Sequence, residues 1–213
     1  MSSPVARFNY LSPIILPILP SAAGVTHFTL DLESALRDVA AGPGDVVLAC
    51  RIMAFEGGKL ASEEMHEIPV RGGRPLRAFV ERRFAQSSLG YAEITITADQ
   101  PYFRKILTEH MYSIVERPDG GMFVINAAYK FSDPLITDLM RQVGRFCLVH
   151  PAHFVAKGRG IGNSVLIVNP FEGPILARLT GTNRREMRKR ISSHDAVLIP
   201  LEEIVEDGSL SCV

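Results

Sequence analysis

The chain is 213 residues long with 46% hydrophobic side chains, enough to build a core and too many for a disordered polypeptide. Lys plus Arg number 23 and Asp plus Glu number 23, so the formal net charge is zero. That balance gives no global electrostatic reason to expect nucleic acid or an anionic membrane as a partner.

No run reaches the ~20 apolar residues of a membrane helix, so the chain is not expected to be membrane-embedded. Near the N-terminus, the apolar run Ile15-Leu-Pro-Ile-Leu19 precedes Ser21-Ala-Ala-Gly24 and superficially resembles an export signal. Pro13, Pro17 and Pro20 interrupt what should be a helical apolar core, so an extended segment along the body is expected instead. Cys50, Cys147 and Cys212 are odd in number and widely spaced, which reads as reduced thiols in a cytoplasmic protein.

Asp31 can cap a short helix with Leu32, Leu36 and Val39 on one face and Gly42-Pro43 as its stop. Val46 to Phe55 is short, apolar on both faces and bounded by turns, as an inner strand should be. Ala92-Glu-Ile-Thr-Ile-Thr-Ala98 alternates with period two, which predicts a half-buried antiparallel strand with Ala92, Ile94, Ile96 and Ala98 inward. Met122 to Tyr129, Val165 to Val168 and Ala196 to Ile199 read as further inner strands.

Two more helical stretches are expected, one from Asp133-Pro134 with Leu135, Leu139 and Val143 as its stripe and Gly144 as its stop. The other is a single turn over Pro200 to Asp207. Glu56-Gly-Gly-Lys59, Arg71-Gly-Gly-Arg74, Pro118-Asp-Gly-Gly121 and Gly181-Thr-Asn183 are hairpin turns, because glycine and asparagine take positive φ readily. The sum is a mostly β protein, an antiparallel β-sandwich with a few short helices, forming one compact unit.

An internal repeat is a further expectation, with halves at 24–110 and 111–213. Leu48-Ala49, Met65, Ile68 and Pro75-Leu-Arg-Ala-Phe-Val-Glu81 recur as Leu176-Ala177, Met187, Ile191 and Pro200-Leu-Glu-Glu-Ile-Val-Glu206 at a roughly constant offset. The run Gly90-Tyr-Ala-Glu-Ile-Thr-Ile-Thr-Ala-Asp-Gln-Pro-Tyr102 resembles the small β-sandwich transducer proteins associated with microbial sensory rhodopsins. Ser164-Val-Leu-Ile-Val-Asn-Pro-Phe171 resembles the strand that opens the hairpin in that family. The likeness covers about 46–106 and 164–205 and implies a sandwich with a non-catalytic binding role. This chain is much longer than those proteins, and none of their functional residues has a match here.

Candidate site residues are few. His150 and His153 are the nearest thing to a metal pair, yet three residues apart on a strand places them on opposite faces. A third ligand would have to come from His27, His66 or Glu64. Lys157-Gly-Arg-Gly-Ile-Gly-Asn163 precedes a strand rather than a helix, so it reads as a hairpin connection, with Lys157 and Arg159 as the alternative anion site.

Arg184-Arg-Glu-Met-Arg-Lys-Arg190 is the densest basic run. Met187 and Ile191 point inward there, which describes a solvated edge strand; its functional alternative uses Arg184, Arg185, Arg188 and Arg190 against an acidic partner. Ser164, Ser192, Ser193, His194 and Asp195 do not have triad geometry, since strand neighbours point apart. Glu63, Glu64 and Glu93 could act as paired carboxylates only if the fold joins two of them. With no Trp and 5 Tyr, the chain is poorly suited to stack sugars, and Tyr91, Tyr102 and Phe103 suit a core cluster.

The expected function is therefore a non-enzymatic binding or adaptor protein with no cofactor, using a protein partner or self-association. A metal-assisted or acid–base enzyme for a small polar or carbohydrate substrate is the alternative.

Overall fold

The computed structural model describes residues 8–9, 13–31, 46–72, 74–76, 79–98, 111–126, 128–129, 150–155, 164–181, 185–201 and 208–212. Every regular element among them is a strand, and none is a helix long and apolar enough to cross a membrane. The expected helices fall on 32–43, 133–144 and 202–207, outside the described residues; Asp31 itself closes a strand. The chain divides into two compact units, Met1–Ser132 and Asp133–Val213. The boundary therefore lies beyond 110/111, and 111–129 belongs with the first unit.

In chain order the first unit holds β1 (Phe8–Asn9), β2 (Ile14–Ile18), β3 (Val25–Asp31), β4 (Val46–Glu56), β5 (Lys59–Arg71), β6 (Arg74–Pro75), β7 (Phe79–Phe84), β8 (Gly90–Ala98), β9 (Met111–Glu116), β10 (Met122–Asn126) and β11 (Ala128–Tyr129). They form two antiparallel sheets. The larger runs β11-β2-β8-β4-β5-β6, with β1 also against β8, and the smaller runs β10-β9-β3-β7. The N-terminal apolar run is thus an inner strand, fully buried, extended as its prolines require. Pro17 is tolerated because β11 pairs only with Ile14 and Ile15, leaving no ladder on that side to miss its amide.

Alternation decides what enters the core. Leu48, Cys50, Ile52 and Ala54 of β4 face inward with Ala92, Ile94 and Ile96 of β8, Ile14, Leu16 and Ile18 of β2, and Ile68 and Val70 of β5. Phe28 of β3 and Val80 and Phe84 of β7 meet them from the other sheet. Each Val, Leu, Ile or Phe among them contributes roughly 1.5–3 kcal/mol when fully buried.

Beyond the predicted half-burial, β8 is covered on its second face too: Tyr91 is 0% exposed and Glu93 6%. It lies between β2 and β4, a central position that no local pattern reveals.

Gly57 and Gly58 take positive φ in the tight turn that pairs Glu56 with Lys59. A register shift after Ala54 then sets Phe55 opposite Leu60, where its ring stacks on Tyr91 at 4.9 Å. Gly90 admits no side chain, because a Cβ there would lie 2.1 Å from the Phe55 carbonyl oxygen.

The second unit holds β12 (His150–Val155), β13 (Ser164–Asn169), β14 (Ile175–Gly181), β15 (Glu186–Ile191), β16 (Asp195–Pro200) and β17 (Gly208–Cys212). Its sheets run β12-β17-β14-β15 and β13-β16. Leu179, Ile199 and Leu201 form its core, with Val165, Ile167, Met187 and Val197 packed against them.

Asn169, wholly buried, holds the turns together: its Nδ2 donates to the carbonyls of Gly173 and Ser192, both at 2.7 Å, and its Oδ1 accepts from the Phe171 amide. The positions matched by the sequence recurrence do not share surroundings. Leu48 is 1% exposed opposite Ile68, whereas Leu176 is 64% exposed opposite Arg190.

Candidate interaction edges

Several strands pair on one side alone among the described residues, β7, β10, β12, β13 and β16 among them, and two more, β5 and β15, carry charged runs of opposite sign. β5 pairs with β4 along its length but with β6 only at Val70 and Arg71, and Leu76 bonds back to Pro69, so 59–68 has a partner on one side alone. The amide direction along this edge follows from one hydrogen bond. Leu76 N–H donates to the Pro69 carbonyl at 2.8 Å, so Pro69 turns its carbonyl away from β4.

Residues of the same phase in an antiparallel strand aim both N–H and C=O to the same side. Glu67, Met65 and Glu63 therefore offer donor and acceptor to the open side. Proline sits in that row because its missing amide costs no ladder bond there. The side chains of the same row lie on the outer face, with Met65 and Leu60 each 50% exposed and Val47 of β4 49% exposed beside them.

The second open edge is β15, which pairs only with β14. Here Gly181 N–H donates to the Arg185 carbonyl at 2.9 Å, so Arg185 and the residues in phase with it, Met187 and Lys189, bond toward β14. Glu186, Arg188 and Arg190 then face outward with their amides. This is the edge strand that the basic run predicted, with Met187 against the core, Ile191 buried and Arg188 and Arg190 exposed.

The two edges have opposite sign. On β5 Glu63 pairs with Arg51 at 2.7 Å, and Glu64 reaches Arg82 of the facing sheet at 2.8 Å, while Glu67 carries no ion pair among the described residues. On β15 Arg188 pairs with Glu186 at 3.2 Å, and Lys189 and Arg190 carry no ion pair among the described residues. Arg185 is exposed beside them, and Arg184 lies outside the described residues.

The other candidate residues do not converge. His150 and His153 stand opposite Cys212 and Leu210 across β17, with an irregularity between them. The strict alternation behind their expected separation is thus broken in the backbone. His27, His66 and Glu64 belong to the first unit, the histidine pair to the second. His27 Nε2 lies 2.9 Å from Glu116 and shares it with Arg83, while His66 Nε2 lies 3.6 Å from Glu64. Among the described residues no group of three His, Cys, Asp or Glu could hold a metal ion.

Lys157 and Arg159 lie outside the described residues. The strands flanking them pair with different partners, so the glycine-rich segment links two sheets rather than the arms of a hairpin. Ser193 Oγ donates to the Phe171 carbonyl and Asp195 accepts from the Ala196 amide, which makes that cluster a turn. Glu63 and Glu93 are separated by Met53, their common cross-strand neighbour. Tyr91 is a core residue, as read; Tyr102 and Phe103 fall outside the described residues.

Sequence reasoning missed the cradle at Glu56. Its Oε1 accepts from Ser87 Oγ, Ser88 N–H and Ser88 Oγ at 2.7–2.9 Å. These bonds, the Ser88 amide first, hold the carboxyl below the usual glutamate range. The adjacent Ser87-Ser88 was the available signal, but its acceptor lies across the sheet.

No family model, no curated protein and no solved structure matches the chain.

Proposed function

We propose that the protein is a non-enzymatic β-sandwich binding module that holds a protein partner by adding the partner's strand to the open edge of β5. The observation that carries this reading is the one-sided pairing of 59–68, with the amides of Glu63, Met65 and Glu67 aimed outward. Strand addition draws affinity from such a row of main-chain groups and specificity from the alternate side chains.

Those side chains are Met65 and Leu60, half exposed, flanked by Glu63 and Glu67, which favour a basic partner strand. The likeness to transducer sandwiches points to the same kind of role. A cytoplasmic setting belongs to this proposal and is supported by the buried thiol of Cys50.

A fluorescent strand peptide alternating arginine and valine tests the reading by anisotropy titration. Saturable binding is expected, weakened roughly tenfold or more by Met65→Pro, which deletes one outward amide while sparing the ladder to β4. A glutamate–valine peptide should not bind. Absence of binding, or equal binding to Met65→Pro, overturns it.

A further inference from the structure

The partner strand need not come from another protein, because this chain carries a strand of the required chemistry. We propose that copies join head to tail, the acidic edge of β5 in one copy pairing antiparallel with the basic edge of β15 in the next. This rests on the strand-addition reading above and names its partner, a second copy of this chain.

Charge selects the pairing. Charged side chains on an open edge ordinarily protect against aggregation. Here Glu63, Glu64 and Glu67 set β5 against another β5, and Arg188, Lys189 and Arg190 set β15 against another β15. The same charges attract when the unlike edges meet. Zero net charge on the whole chain leaves no general repulsion between copies to oppose the contact.

Backbone phase agrees with charge. The outward amides of β5 belong to Glu63, Met65 and Glu67, and those of β15 to Glu186, Arg188 and Arg190. Setting Met65 opposite Arg190 aligns donors with acceptors there and brings Arg188 opposite Glu67, while Glu186 falls past the open stretch, at Pro69, where Leu76 already bonds. Arg190 is then diagonal to both Glu63 and Glu67, within reach of a long side chain. Ile68, on the core-facing side of β5, meets Met187, on the core-facing side of β15. Inner face thus continues into inner face and outer into outer, as one sheet requires. Because the two edges differ, the contact is heterologous, and it either closes into a ring or grows as a chain.

Sedimentation velocity on the full chain at low salt tests the proposal. Species beyond the dimer should grow with protein concentration and dissociate as salt rises from roughly 50 mM to roughly 500 mM. Glu67→Lys and Arg188→Glu, at exposed positions that face each other in this register, should each weaken association roughly tenfold; the two combined in one chain should restore it.

Met65→Pro and Arg188→Pro each block one edge, so each alone should be monomeric, while an equimolar mixture should form a pair that stops growing. A monomeric wild type, or association unchanged in all four variants, overturns the proposal. If that wild type still binds the arginine–valine peptide, strand addition stands and only the self-pairing falls. If it binds neither, both fall.

Discussion

In the first unit β2, β4, β5 and β8 of one sheet and β3 and β7 of the other bury a continuous apolar layer, beside which Thr26, Gln86 and Glu93 are buried polar side chains. In the second, Leu179, Ile191, Ile199 and Leu201 are the large apolar side chains deeply buried among the described residues, and a buried asparagine ties two turns together. The contrast shows two ways to fix a sandwich. A large apolar layer sets register mainly through packing, whereas a small one leans more on directional bonds to hold its loops.

That contrast can be broken by substitution. The largest effect should come from Ile94→Ala, which removes a fully buried side chain from the central strand of the first unit. It should cost about 4 kcal/mol in chemical denaturation. Hydrogen exchange should quicken across 46–98 and stay unchanged across 164–200. Exchange that quickens equally in both stretches would mean that one cooperative unit, not two, responds.

A smaller loss is expected for Asn169→Asp, which keeps the shape but replaces the amide donor with an acceptor facing the Gly173 and Ser192 carbonyls. About 2 kcal/mol should be lost, read in the exchange of the second unit. If Asn169→Asp proves neutral, the turns of the second unit are held by packing like those of the first.

The smallest effect belongs to Glu56. Its carboxyl is held below the ordinary value by the Ser88 and Ser87 hydrogen bonds, so the folded state binds the proton less tightly than the unfolded chain. The stabilisation is therefore present above the unfolded value and is lost as pH falls through the folded one. Urea midpoints measured against pH should show that acid loss in the wild type and a flatter profile in Glu56→Gln. Identical profiles would remove the cradle from the account of the first unit.

The edges were partly legible. The alternation of Met187 and Ile191 against Arg188 and Arg190 marked β15 as a solvated edge, and the structure places it there. For β5 the sequence showed acidic residues and a proline but not their meaning. Which row of amides points outward depends on the bond between Leu76 and Pro69, made only after the chain turns back at Gly72. The histidines of β12 were read by strict alternation, which the irregularity between His150 and His153 breaks.

The sequence by itself determined that this is a β protein, where its glycine turns fall, and which residues of β8 enter the core. Those are properties of period two and of backbone freedom, written within a few neighbouring residues. Only the tertiary structure decided that β8 is covered on both faces, that β5 and β15 are left with open sides, and that Asn169 is an anchor. Each of these depends on what a distant segment contributes or withholds, and pairing across a sheet joins residues that no local pattern relates.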